Sequence, residues 1–198
     1  CHHQHNLEAW LAHCPGLKVV FASTPLDLKG LLLSAIFDPD PVIVIEEMFS
    51  YFMPGDVPEG DLRIPLNEAN VVRPGSDVTI AGYGGAAFTA LKAAGALAEQ
   101  GVDAEVLDLR CLAPLDTDTL FASVEKTKRL VVVHDANRFC GFGAEVAAQV
   151  GEAFHGTLKG PVRRVAAPQI PVPLAPPQEQ FYKPQPEQVV QAALGLMG

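Results

Sequence analysis

Three histidines and a cysteine stand within the first five residues, CHHQH, directly before the helix-like stretch NLEAWLAH. A spacing of two puts Cys1 and His3, or His3 and His5, on one side of an extended strand, which would let both grip one metal ion. No third ligand cluster follows elsewhere, and Gln4 interrupts the run where an expression tag has consecutive histidines. A third reading is the loop of an active site, where an imidazole, titrating near neutral pH, could both take and give a proton.

A second chemical motif is Gly82-Tyr83-Gly84-Gly85-Ala86-Ala87, a G-x-G-x-x-A run between a strand-like and a helix-like segment, with Asp108 ending the next strand. Those are the parts of a dinucleotide site: glycines for a tight turn, a helix N-terminus for the pyrophosphate, an acid for the ribose. The competing reading is a glycine turn that only lets the helix pack on the sheet. Gly141-Phe142-Gly143 repeats the geometry after the strand ending at His134 and reads as a packing turn. His134 and Asp135 sit where α/β sheets collect ligands, yet no nucleophile is near them in sequence, so His134 reads as structural. The prolines of PQIPVPLAPPQEQFYKPQP resemble a polyproline tract and are expected to form an extended arm over a neighbouring domain or subunit.

The elements that must position these residues follow from the apolar pattern. Leu7 to His13 reads as a helix stopped by Pro15-Gly16, and LKVVFA as a short strand. STPLDLKGLLLSAIF reads as a helix capped by Ser23 or Thr24, with Leu28, Leu31, Leu32 and Ala35 on one face. DPDP breaks it, and PVIVIEE is an apolar strand ending in two carboxylates, so the three elements predict a parallel crossover unit. Met48 to Pro65, rich in proline, glycine and acids, reads as a surface linker. Beyond it, DVTIAGYG, DAEVLDLR, RLVVVHD and PVRRVAA are expected strands alternating with helices, and a last helix closes the chain near Pro186 to Leu196. That alternation predicts an α/β fold, a three-layer αβα domain.

Composition agrees. Of 198 residues 48% are hydrophobic and 19% charged, as expected where a sheet is buried on both faces. A net charge of −9 argues against a nucleic acid or an anionic membrane surface as partner. Cys1, Cys14, Cys111 and Cys140 form no C-x-x-C pair and read as free thiols of a cytoplasmic-type protein. No apolar run reaches the roughly 18 residues that cross a bilayer. Without an initiator Met or a signal-like start, Cys1 reads as a truncated or processed end.

Four blocks in order, HCPGLKVVFASTPLDLKGLLLSAIFDPDPVIVIEE, IPLNEANVVRPGSDVTIAGYG, VLDLRCLAPLDTDTL and VVVHDANRFCGFGAEVA, resemble the β subunit of 2-oxo acid dehydrogenase complexes. The resemblance is to the pyruvate, branched-chain and acetoin dehydrogenase family and runs over nearly the whole chain. It implies that residues 1–47 are the C-terminal part of a pyrimidine-binding thiamine domain, 48–65 a linker, and 66–198 a transketolase C-terminal-like domain. Aligning on Glu8-Ala9-Trp10 places the family's channel histidine on His3, which would move protons during decarboxylation and acyl transfer to lipoyl groups. Thiamine diphosphate with magnesium would be held by the intact heterotetramer, the diphosphate and metal on the α subunit and the activating glutamate upstream of Cys1. This chain alone is therefore expected to be inactive. In the family the loop Ala35 to Asp40 can hold a structural potassium, which here would use Asp38 and Asp40. The implied partners are the α subunit, a second β subunit and the subunit-binding domain of the lipoyl transacylase, in the cytoplasm or, in a eukaryote, the mitochondrial matrix. The alternative is a non-catalytic NAD-binding or assembly module using the Gly82–Gly85 turn; the family's matching turn builds a subunit interface instead.

Overall fold

Two sheets carry the fold, and the chain crosses between them more than once. The computed structural model describes residues 5–198, so His3 lies outside the described residues. A short helix α1 (Glu8–Ala12) leads into the expected crossover of β1 (Lys18–Phe21), α2 (Pro25–Ile36) and β2 (Val42–Ile45), with β1 and β2 in parallel register from Lys18↔Val42 to Phe21↔Ile45. Helix α2 starts at Thr24 because two groups satisfy each other there. The Asp27 N–H donates to Thr24 Oγ1 at 3.1 Å, and the Thr24 N–H donates to Asp27 Oδ2 at 3.1 Å.

The expected surface linker is partly an internal element. A 3-10 turn at Met48–Phe52 follows β2, and residues 53–66 form no helix or strand. Ile64 and Leu66 nevertheless bury against Val20, Leu31 and Cys111, and the Ile64 N–H donates to the Gly30 carbonyl at 3.2 Å. The second part of the chain then returns a strand, β6 (Cys111–Ala113), which pairs antiparallel with β1 to give the order β2-β1-β6.

The larger sheet has the order β3-β5-β4-β7-β8. Its strands are β3 (Asn70–Arg73), β4 (Val78–Gly82), β5 (Ala104–Asp108), β7 (Leu130–Asn137) and β8 (Arg163–Ala167). All run parallel except β3, an antiparallel edge strand. Helices α3 (Gly85–Ala98) and α7 (Pro186–Leu194) cover Val78, Ile80, Val106, Val131 and Val133 on one face. Helices α4 (Thr117–Thr127) and α5 (Gly143–Ala153) cover Ala81, Leu107 and Val132 on the other. These are the three layers of the expected α/β domain, and burial on both faces explains the unbroken apolar strands. One polar exception, Thr79, is satisfied by Ser123 Oγ at 2.7 Å and Thr127 Oγ1 at 2.8 Å. The second core also takes in Val19 and Phe21 of β1, which fuses the two sheets into one body. Part of the proline-rich stretch expected as an extended arm is instead a short helix, α6 (Pro176–Tyr182).

Candidate functional site

From β4 the chain goes to β5 on one side, and from β7 to β8 on the other, so the C-terminal ends of β4 and β7 flank the crevice where open α/β sheets collect ligands. The chain fills this crevice itself. Glu47, just beyond β2, accepts the N–H of Gly85 at the first turn of α3, and its other oxygen lies 3.3 Å from Lys183 Nζ. Lys183 also stands 3.4 Å from Asp135 Oδ2. A carboxylate at a helix N-terminus meets an orphan N–H and the positive end of the dipole. The side chains of Glu47 and Asp135 are only 13% and 11% exposed. Burial pushes the Glu47 carboxyl up to about 7; the Asp135 charge adds to this and Lys183 opposes it.

Beside this cluster, Tyr83 of the β4–α3 turn donates its hydroxyl to Glu8 Oε1 at 2.8 Å. Glu8 is the first residue of α1 and is 1% exposed. Burial raises its carboxyl above the ordinary range, and the Tyr83 hydroxyl pulls the other way. The Tyr83 ring lies parallel to that of His134 at 6.0 Å and meets Phe142 edge-on at 6.0 Å. His134 is fully buried, and burial pushes its imidazole down to about 4, so it is neutral at physiological pH. The glycines that follow make room for it: a Cβ on Gly143 would stand 2.6 Å from His134 Nε2. That is the packing turn expected at Gly141-Phe142-Gly143.

On these supports sits a cavity of about 510 Å³. His5, Leu7 and Trp10 line one wall, Asn137 at the end of β7 with Phe139 and Cys140 beyond it a second, and Gln169 to Pro171 after β8 a third. Among the described residues no lysine or arginine faces it. An imidazole, carboxamides, a thiol and apolar rings can admit an uncharged chain, exchange protons with it and exclude water.

The sequence-derived candidates fare differently. His3 falls outside the described residues, although His5, two positions on, lines the cavity. Asp38 and Asp40 both face a cation, but it is the chain's own: Lys18 Nζ lies 2.8 Å from Asp38 and 3.1 Å from Asp40 Oδ2. The ammonium holds the Asp38 carboxyl below its usual range. Both carboxylates that the resemblance offers to potassium therefore already have an ammonium partner. The dinucleotide reading of Gly82–Gly85 is corrected by three contacts. Glu47 holds the helix N-terminus where a pyrophosphate would bind. Gly84, at φ +57°, packs so closely that a Cβ would meet the Phe21 ring at 2.5 Å. Asp108 is buried, accepting the Arg110 N–H at 3.2 Å beside the buried Arg110–Asp27 pair. Glu8, Glu47, Tyr83 and Lys183 were not singled out by sequence; the double acid ending PVIVIEE was the one local sign.

The chain matches two family profiles: "Transketolase, C-terminal domain" over residues 67–189 and "Transketolase, pyrimidine binding domain" over residues 1–51. It is 45% identical over 196 residues to the acetoin:2,6-dichlorophenolindophenol oxidoreductase subunit beta of Bacillus subtilis, covering 99% of this chain and 57% of that protein. It is 44% identical over 192 residues to the pyruvate dehydrogenase E1 component subunit beta of the same organism, covering 96% of this chain and 59% of that protein. The mitochondrial pyruvate dehydrogenase E1 component subunit beta of Drosophila melanogaster is 42% identical over 201 residues, with 99% of this chain and 55% of that protein covered. The chain thus spans a little over half the length of these relatives. Among solved structures, a split gene transketolase described as an inactive beta4 tetramer superposes with a TM-score of 0.82 over 98% of this chain and 62% of the other. At 24% identity that likeness shows the fold alone.

Proposed function

We propose, from the premise that this chain belongs to the family of transketolase C-terminal domains, that it is the C-terminal portion of the β subunit of a thiamine diphosphate-dependent dehydrogenase of the pyruvate, branched-chain 2-oxo acid and acetoin group. The observation that carries this reading is the uncharged cavity where the end of the histidine loop meets the C-terminal ends of β7 and β8. In the overall reaction a 2-oxo acid loses carbon dioxide, and its acyl group passes to a lipoyl sulfur while the lipoyl disulfide takes up the electron pair. Thiamine diphosphate supplies the carbanion-stabilising chemistry when bound.

The described residues do not fit the charged half of that cofactor. No three metal-ligating side chains converge among them, and the cavity wall has no cationic residue for a diphosphate. In this reading the diphosphate and its metal are held by the α subunit. What this chain does is shape and proton management. Trp10, Leu7, Phe139 and Ile170 give the cavity its apolar surface, and the Glu8–Tyr83 bond anchors helix α1 beside it. In this reading His3 is the residue that transfers protons, a task that contributes about 10²- to 10⁴-fold in such reactions. The remaining partners in this reading are a second β subunit and the subunit-binding domain of the lipoyl transacylase, in the cytoplasm or the mitochondrial matrix. No helix among the described residues is long and apolar enough to cross a membrane.

The test is native mass spectrometry of the protein with its co-purifying chains, followed by His3→Ala in the assembled enzyme. Two α and two β subunits carrying thiamine diphosphate, with acyl transfer to lipoyl domains lowered at least 100-fold in the variant, is the expected result. A lone oligomer of this chain without cofactor, or unchanged turnover in the variant, overturns the reading.

A further inference from the structure

At the sheet edge formed by β7 and β8, a second cavity of about 600 Å³ opens against α6 and α7. Its wall includes Arg138, Arg164, Phe139, Phe181, Tyr182 and Gln188. The chain has 23 acidic against 14 basic residues, so a cation here has no shortage of partners. Arg63, Arg73 and Arg110 each take a carboxylate, and Arg129 is spent on the Leu196 and Asp77 carbonyls. Arg138 and Arg164 form no ion pair among the described residues, which include every Asp and Glu of the chain. Two guanidiniums left unneutralised in one cavity of an acidic protein leave a positive field with no internal anion.

The Arg164 side chain and the Arg138 backbone are also held in place, while the Arg138 side chain is exposed. Arg164 Nη1 donates to the Arg138 carbonyl at 3.0 Å, and the Arg138 N–H donates to the Ala167 carbonyl at 2.8 Å, so the end of β7 is tied across to β8. Arg164 is half-buried, and its charge is among the influences that keep His134 neutral. Beside the guanidiniums, Phe139 and Phe181 leave 68% and 87% of their surface open, while Tyr182 below them is fixed by a 3.3 Å bond from its hydroxyl to Asn137 Oδ1. A planar guanidinium suits a phosphate or carboxylate bidentately, and an open ring suits a flat apolar body. The volume lies within the range of small-molecule sites.

We propose that Arg138 and Arg164 form a binding site for an organic anion, its phosphate or carboxylate held by the two guanidiniums and its planar body resting against Phe139 and Phe181. The site is independent of the dehydrogenase reading.

The experiment is isothermal titration of the full chain with 1-naphthyl phosphate and 1-naphthoate, against inorganic phosphate and 1-naphthol as the separated halves. At least one of the joined ligands is expected to bind saturably and tenfold or more tighter than either half, and the stronger of the two identifies the anion. Arg138→Gln with Arg164→Gln together should weaken it at least tenfold, and Phe181→Ala should weaken it severalfold. Should the double variant not fold, Arg138→Gln alone, which keeps the backbone bond to Ala167, must still weaken binding severalfold. No saturable binding, affinity indifferent to the arginines, or an arginine pair covered by a second copy of the chain in solution overturns the proposal.

Discussion

Replacing Glu47 with Gln tests the electrostatics at the seam between the sheets. The carboxyl lies between the Gly85 N–H and Lys183, with Asp135 close enough to oppose its ionisation, and it rises from 4.5 to about 7. A folded-state value above the unfolded one means that the folded protein binds the proton more tightly, so stability from this group falls as pH rises from about 4.5 to about 7 and is level above that. At about 1.4 kcal/mol per pH unit the ceiling is about 3 kcal/mol. Local relaxation and solvent screening at the seam reduce this, which leaves about 1–2 kcal/mol. Glutamine imitates the protonated acid and still accepts from Gly85. Urea unfolding of both proteins from pH 4.5 to 8 should show curves that meet at the acid end, with Glu47→Gln more stable by about 1–2 kcal/mol at pH 8. A variant no more stable at pH 8 than the parent would mean that Lys183 and the helix end keep Glu47 ionised, and would refute the reasoning.

Gly84→Ala combines a left-handed φ of +57° with a Cβ against the Phe21 ring and should cost about 2–4 kcal/mol in urea unfolding; an unchanged midpoint would show that the turn relaxes freely. Arg110→Met strands the buried carboxylate of Asp27 and should cost about 3–5 kcal/mol, with Asp27→Asn restoring part of it in the double variant. Because Lys18 already pairs with Asp38 and Asp40, melting curves in KCl and NaCl at equal ionic strength should coincide, and a potassium-specific rise would restore a metal site there. NADH should show no saturable fluorescence change on titration with the protein at micromolar concentration, since Glu47 occupies the helix end; saturation would reverse the correction made to the glycine motif.

What the sequence discloses is local, and the site is not. The buried strands β1, β4, β5 and β7 are readable because each is mostly apolar on both faces, and α2 and α4 because Thr24 and Asp116 cap them within three residues of their partners. The strands β3 and β6 are not readable: Asn70–Arg73 and Cys111–Ala113 are too short to show a period, and each exists because β5 or β1 offers an open edge. The contacts that build the crevice span far greater distances. Lys183 meets Glu47 across 136 positions, and Tyr83 meets Glu8 across 75. Of the two acids ending PVIVIEE, Glu46 turns outward to the Tyr51 hydroxyl at 2.7 Å while Glu47 turns inward, and strand alternation alone could not say which faces the seam.

The glycine motif misleads for a physical reason. A dinucleotide turn and a seam turn share one backbone requirement, a positive φ and a helix brought hard against a strand, and glycine answers both. They differ in what faces the helix end. A dinucleotide protein must leave that N-terminus open and solvated until pyrophosphate arrives. In this chain the anion arrives with folding: Glu47 comes from the first sheet, Phe21 from the same sheet closes the space over Gly84, and Lys183 from beyond α6 balances the charge. An electrostatic slot that would have held a ligand instead joins the two parts of the chain. Helix α1, which follows His5, is joined to the same seam through Glu8 and Tyr83, so the wall of the 510 Å³ cavity is set by contacts that no single segment contains.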